Sequence, residues 1–143
     1  MQGKVVASGR LPSYDYQSVE YAGEIVHRIT VKGPIDLEHR LPLYQETLAI
    51  NQTSNYFCIL DNSDGHENTL SRSDMVLLDS ILVEGGIKNF YGVTITTDPS
   101  YAGIVKLAGY SAEASRLNAE MLATPDPAEA ERFILEKLET VTG

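Results

Sequence analysis

From Tyr14 onward the chain switches repeatedly between two hydrophobic rhythms, one of period two and one near 3.6, and that switching restricts the fold more than any other property. Residues Glu24 to Val31 show the first rhythm: Ile25, His27, Ile29 and Val31 alternate with Glu24, Val26, Arg28 and Thr30. Joined to Tyr14–Tyr21 through Ala22-Gly23, this segment predicts a β-hairpin, and Lys32-Gly33-Pro34 ends it. Asp36 can cap a helix reaching about Ile50, with Leu37, Leu41, Tyr44 and Leu48 on one stripe. Pro42 either kinks that helix or occupies the first turn of a shorter one starting near Leu41, where no N–H is needed.

The run Tyr56-Phe57-Cys58-Ile59-Leu60 is continuously apolar, as a central strand covered on both faces must be. Asp61 to Asn68 reads as a polar loop. Ser71 with Asp74 makes a capping-box-like start for a helix through Glu84, with Met75, Leu78 and Leu82 on one side and Gly85-Gly86 as its stop. Phe90 to Thr96 is a second strand, Tyr91, Val93 and Ile95 facing one way. Thr97-Asp98-Pro99-Ser100 opens a helix expected to end near Gly109, and Leu117–Ala123 reads as a short edge strand. In the last helix Asp126 caps, Pro127 takes the first position, and Ala130, Phe133, Ile134 and Leu138 form the stripe. The expected fold class is α/β: a single-layer mixed, largely parallel β-sheet with helices packed on it. Residues 1–13, a mixture that includes Gly, Ser and Pro, form a flexible or edge-pairing N-terminal arm, and 14–143 form one domain.

Composition narrows the function. A chain of 143 residues fits one domain and can fold without a disulfide or metal. Acidic residues outnumber basic ones twenty to eleven, so nucleic acid and anionic membrane surfaces, which draw affinity from Lys and Arg, are poor partners. No apolar stretch approaches the roughly 18–20 residues of a membrane span, and residues 1–8 lack a signal-peptide core, so a cytoplasmic location is expected. Cys58, in its apolar run, reads as a small hydrophobe without the basic neighbours that stabilise a thiolate.

Three landmarks, in this order and spacing, resemble the SpoIIAA-like group of the STAS superfamily. They are the hairpin ending Val31-Lys32-Gly33-Pro34-Ile35-Asp36, the strand Phe57-Cys58-Ile59-Leu60-Asp61, and Met121-Leu122-Ala123-Thr124-Pro125 leading into Ala128 to Ile134. The resemblance implies a regulatory or protein-interaction module. In bacterial regulators of that group a serine opening the helix after the central strand is phosphorylated, which switches binding to a partner kinase. The group's Asp-Ser-Ser-Gly pattern is absent here; Thr69-Leu70-Ser71-Arg72-Ser73-Asp74 stands in its place. Ser71 is thus a helix cap or a phospho-acceptor.

Catalytic and metal motifs are missing. Setting Gly65 at position 6 of a calcium loop puts Leu60 at position 1 and Ser71 at position 12, and neither supplies the required carboxylate. The three histidines have no zinc-ligand spacing, and no nucleophile elbow, Walker loop or dinucleotide fingerprint occurs. No catalytic residue, metal or cofactor is expected. Loops at the carboxyl ends of central strands are where open α/β sheets place ligand crevices, which makes Asp61, His66, Glu67, Asp98 and Ser100 the candidate ligand or partner contacts. Tyr14, Tyr16 and Tyr21 are either half-buried strand residues or a surface for a dimer or partner. The leading expectation is a non-enzymatic regulatory or protein-interaction module. The alternative is a carrier for a small apolar ligand or nucleotide, which requires a cavity lined by Leu41, Leu48 and Leu78.

Overall fold

The computed structural model describes residues 3–142. Strands β1 (Lys4–Leu11), β2 (Tyr14–Tyr21), β3 (Glu24–Val31), β4 (Asn55–Asp61), β5 (Asn89–Ile95) and β6 (Asn118–Thr124) form a six-stranded sheet in sequential order, β1-β2-β3-β4-β5-β6. The first two pairings are antiparallel and the other three parallel. The N-terminal arm therefore takes its edge-pairing option: Lys4 to Leu11 lies along β2, with a register shift between Val5 and Ala7. Such an irregularity discourages another chain from pairing with the open edge. Met1 and Gln2, also assigned to the arm, lie outside the described residues.

Sequential order has a consequence for the helices. Each parallel crossover steps the same way across the sheet, and right-handed crossovers then put every connecting helix on the same face. Helices α1 (Leu37–Ile50), α2 (Arg72–Glu84) and α3 (Tyr101–Ala114) are those connections. Tyr14, Tyr16, Ile29, Val31 and Leu60 meet Leu43 on that face, while Tyr56 meets Tyr44, Leu78, Leu82 and Ala112. Helix α4 (Pro127–Thr142) follows the last strand and covers the opposite face, where Ala130, Ile134 and Leu138 pack on Val26, Phe57, Ile59, Tyr91, Val93 and Ile95. A continuously apolar β4 is what two covered faces demand. Tyr14 and Tyr16 are buried beneath α1, so they are core residues and not a partner surface.

Helix α1 is continuous through Pro42, with Asp36 as its cap accepting from the His39 N–H at 2.9 Å. Its inward side keeps Leu37, Tyr44 and Leu48 of the expected stripe and adds the buried Leu43 and Thr47, whereas Leu41 points outward at 36% exposure. Helix α3 also runs past Gly109. It stops where Arg116 adopts a left-handed φ of 61° and the Leu117 N–H reaches the Ala112 carbonyl at 2.9 Å. That closure is the one Gly86 supplies for α2, where the Ile87 N–H reaches the Leu82 carbonyl at 3.0 Å.

Two polar networks tie the amino ends of the strands. Asn118, Asn89 and Asn55 stand in register on adjacent strands, each side-chain amide donating to the next, and Asn55 donates to the Glu24 carboxylate at 3.0 Å. Beside them the fully buried His27 ring sits between the Ser18 hydroxyl (2.8 Å) and the Asn51 side-chain oxygen (3.0 Å). An amide oxygen only accepts, so His27 Nε2 carries the proton and Nδ1 receives the Ser18 hydrogen. Burial lowers the His27 pKa to about 4, partly offset by the hydrogen bond to Asn51.

Candidate functional site

Three helices laid over one sheet face do not close it completely. Gly92 on β5, Ala119 on β6 and Ala108 on α3 are small where bulky residues would fill the layer, and they line a cavity of about 110 Å³. Its walls are otherwise mostly apolar, among them Leu60, Leu78, Val105 and Met121. Leu78 is thus the only one of the three leucines expected at such a cavity that lines it. Leu41 faces outward and Leu48 packs in the cluster around Tyr56.

Two ionisable side chains interrupt the apolar lining. Arg40, on α1, donates from Nε to the Tyr14 hydroxyl at 3.2 Å, and its guanidinium lies 5.4 Å and 5.7 Å from the Tyr14 and Tyr44 ring centres. Burial alone would lower its pKa. The oxygens of Tyr14, Tyr44 and Tyr101 more than offset that, so the group stays cationic. Among the described residues it forms no ion pair. Asp79, on α2, accepts from the Ser111 hydroxyl at 2.8 Å, and burial raises its pKa to about 6 against that hydrogen bond. Asn68 and Tyr101 also line the cavity and bond to each other, the amide donating to the phenol oxygen at 3.1 Å. Sequence reasoning missed both charges. The signal was present: Arg40 is one turn from Leu43 and Tyr44, and Asp79 one turn from Met75 and Leu82, on the inward sides of their helices.

The loop candidates lie elsewhere. Asp61, at the end of β4, accepts from the Ser63 N–H at 3.0 Å and from the Ser63 hydroxyl, and borders a polar groove on the α4 side together with Asp15, Arg28 and Glu131. The His66 backbone is bracketed by the Asn62 side chain, while the exposed Glu67 accepts from the Ile35 N–H through its carbonyl at 2.9 Å. Asp98 accepts from both the N–H and the hydroxyl of Ser100, which hold its carboxyl below the usual range. These residues share the carboxyl-end rim of the sheet, but none of them lines the cavity. Among the described residues no group of three or more His, Cys, Asp or Glu is placed to hold a metal ion.

Ser71 is the α2 cap. Its hydroxyl accepts from the Asp74 N–H at 3.1 Å, and its own N–H donates to the Asp74 carboxylate at 2.9 Å. Ser71→Ala is expected to cost about 1 kcal/mol, read as a lower urea midpoint with an unchanged slope. An unchanged midpoint would show that the reciprocal cap does not hold this helix end. Cys58 borders the cavity, and burial pushes its thiol up to about 12, which removes the thiolate a nucleophile needs.

No family model matches the sequence, and no curated protein matches it. The fold itself is similar to the solved structure of an uncharacterized protein from the DUF3478 family with a SpoIIAA-like fold, from Shewanella loihica PV-4. The match has a TM-score of 0.53 at 14% identity and covers 90% of this chain and 98% of that one. The chain thus has the α/β, SpoIIAA-like architecture. Among the described residues no helix is long and apolar enough to cross a membrane.

Proposed function

We propose that the chain is a non-enzymatic binding module that holds a small molecule with a compact apolar body in the cavity beneath α1, α2 and α3. One observation carries this reading: an interior lined mostly by aliphatic side chains leaves about 110 Å³ unfilled between the sheet and its three connecting helices. Dry apolar cavities of roughly 150 Å³ take up benzene, so this smaller one suits a group of about four or five non-hydrogen atoms. Its wall has no histidine, serine or lysine, and its cysteine is held as the thiol, which favours binding over nucleophilic chemistry.

A regulatory role is a second reading, and the outward side of α2 favours it. Val76, Leu77 and Val83 are exposed there, while Met75, Leu78 and Asp79 of the same helix face the cavity. A helix that touches cargo inside and offers apolar surface outside can couple occupancy to a protein contact.

Ala108→Leu tests the binding reading by filling the cavity. Native mass spectrometry of the purified protein with three- to five-carbon probes should show one bound probe on the unmodified chain. The filled variant should show none while its melting temperature stays within a few degrees. Equal uptake by both proteins, or turnover of a substrate lost on changing Cys58 or Asp79, would overturn the proposal. The same spectra report self-association, which the second reading allows.

A further inference from the structure

The cavity also holds a clue to the polar end of its occupant. The chain has twenty acidic side chains, yet among the described residues none pairs with the Arg40 guanidinium. Nε is engaged by the Tyr14 hydroxyl, and the Tyr14 and Tyr44 rings flank the planar group. Beyond these phenols, no carboxylate among the described residues reaches the two terminal nitrogens, and the Tyr44 hydroxyl is the neutral partner beside them. A planar pair of N–H donors at one edge of a guanidinium matches the two oxygens of a carboxylate, which it binds through parallel hydrogen bonds.

Resting on the cavity-binding reading, we infer that the ligand is a short-chain monocarboxylic acid, its carboxylate forked by the terminal nitrogens of Arg40 and its carbon chain lying among Leu60, Leu78, Val105 and Met121. Charge count selects a monoanion. Arg40 is the only basic residue in the cavity wall, and Asp79 is its only acid. A phosphate ester would bring about two negative charges to one guanidinium beside a carboxyl group, with no Lys in the wall to balance the second. Volume selects a short chain, because the space accommodates roughly four or five heavy atoms by comparison with known dry cavities.

Propanoate, propanamide, propylamine and propyl phosphate share one chain and differ only in the head group. Titrated calorimetrically into the purified protein at pH 7, propanoate should bind about tenfold or more tightly than propanamide, and no more weakly than propyl phosphate. Arg40→Gln should bring the propanoate-to-propanamide ratio close to one, while Arg40→Lys should keep part of it. Equal affinity for propanoate and propanamide would overturn the head-group assignment while leaving the cavity reading intact. A preference for propylamine would make Asp79 the anchor, and a preference for propyl phosphate would make the ligand a dianion; either overturns the carboxylate. Should none of the four bind, the cavity reading itself falls. The head-group series on the unmodified chain decides the matter even if the Arg40 variants fail to fold.

Discussion

Replacing Tyr56 by alanine is expected to destabilise the protein by about 3–5 kcal/mol, in the range for an aromatic side chain deleted from a packed core. Tyr56 is fully buried near the start of β4, and its ring is the hub of the helix-covered face. It stacks on Phe90 at 5.5 Å, meets Tyr44 edge-on at 5.9 Å and lies 4.7 Å from the His27 ring. Its hydroxyl is 2.8 Å from the Thr47 hydroxyl, which in turn donates to the Leu43 carbonyl. Tyr56→Phe separates these contributions: it keeps the ring contacts, removes one buried hydrogen bond, and should cost about 1–2 kcal/mol. Urea denaturation of both variants reads the difference. A loss below about 1 kcal/mol for the alanine variant would mean that the surrounding rings collapse into the space, contrary to a rigid hub.

Between pH 7 and 4, two buried groups should push stability in opposite directions. The His27 pKa is about 4 in the folded chain against about 6.5 unfolded, so the unfolded chain takes up the proton first as the pH falls. Its contribution is full above pH 6.5 and is lost progressively toward pH 4, a change of about 3 kcal/mol. Asp79 behaves in the opposite sense. Burial raises its folded pKa to about 6 from 3.8, so its ionisation costs stability at pH 7 and the cost disappears as the pH falls from 6 to 4. Because the group keeps some solvent contact, that cost is discounted to about 1–2 kcal/mol. Asp79→Asn should therefore be more stable than the unmodified chain by that amount at pH 7 and equal to it near pH 4. Its own profile should expose the steeper acid loss due to His27. The exposed Asp36, held below its usual range mainly by the His39 N–H, and Asp98, held down by Ser100, lose their contributions at still lower pH. Urea midpoints at half-unit pH steps would check this, and an asparagine variant no more stable at pH 7 would refute the Asp79 assignment.

The elements were legible wherever hydrophobic period and capping agreed. Asp36, Ser71 and Asp126 mark helix starts in the sequence, and each carboxylate or hydroxyl accepts a backbone N–H in the structure. Gly85-Gly86 was equally readable, because a left-handed residue after a helix is most cheaply a glycine. The end of α3 was not readable, since Arg116 takes the left-handed conformation without the residue type that announces it. The α1 stripe was read incompletely, with Leu41 misplaced, for a different reason. Its inward side carries Arg40, Leu43, Tyr44 and Thr47, so one charged and one hydroxyl residue occupy positions that a hydrophobic count assigns to the surface. The same bias hid the cavity charges. A search for sites in polar loops finds Asp61, His66, Glu67, Asp98 and Ser100, whereas Arg40 and Asp79 sit on helices and enter the cavity from the covered face.

The amide row through Asn118, Asn89 and Asn55, ended by Glu24, acts on one end of the parallel strands only. A slip of one residue between neighbouring strands would break every rung, so strand alignment is specified there, far from the carboxyl-end rim. The loops 62–71 and 96–100 at that rim add only backbone rungs, such as the Asn62 N–H to the Ile95 carbonyl and the Thr96 N–H to the Thr124 carbonyl. Side-chain matching at one end thus leaves the residue types of the opposite rim free to vary while the strands keep their register.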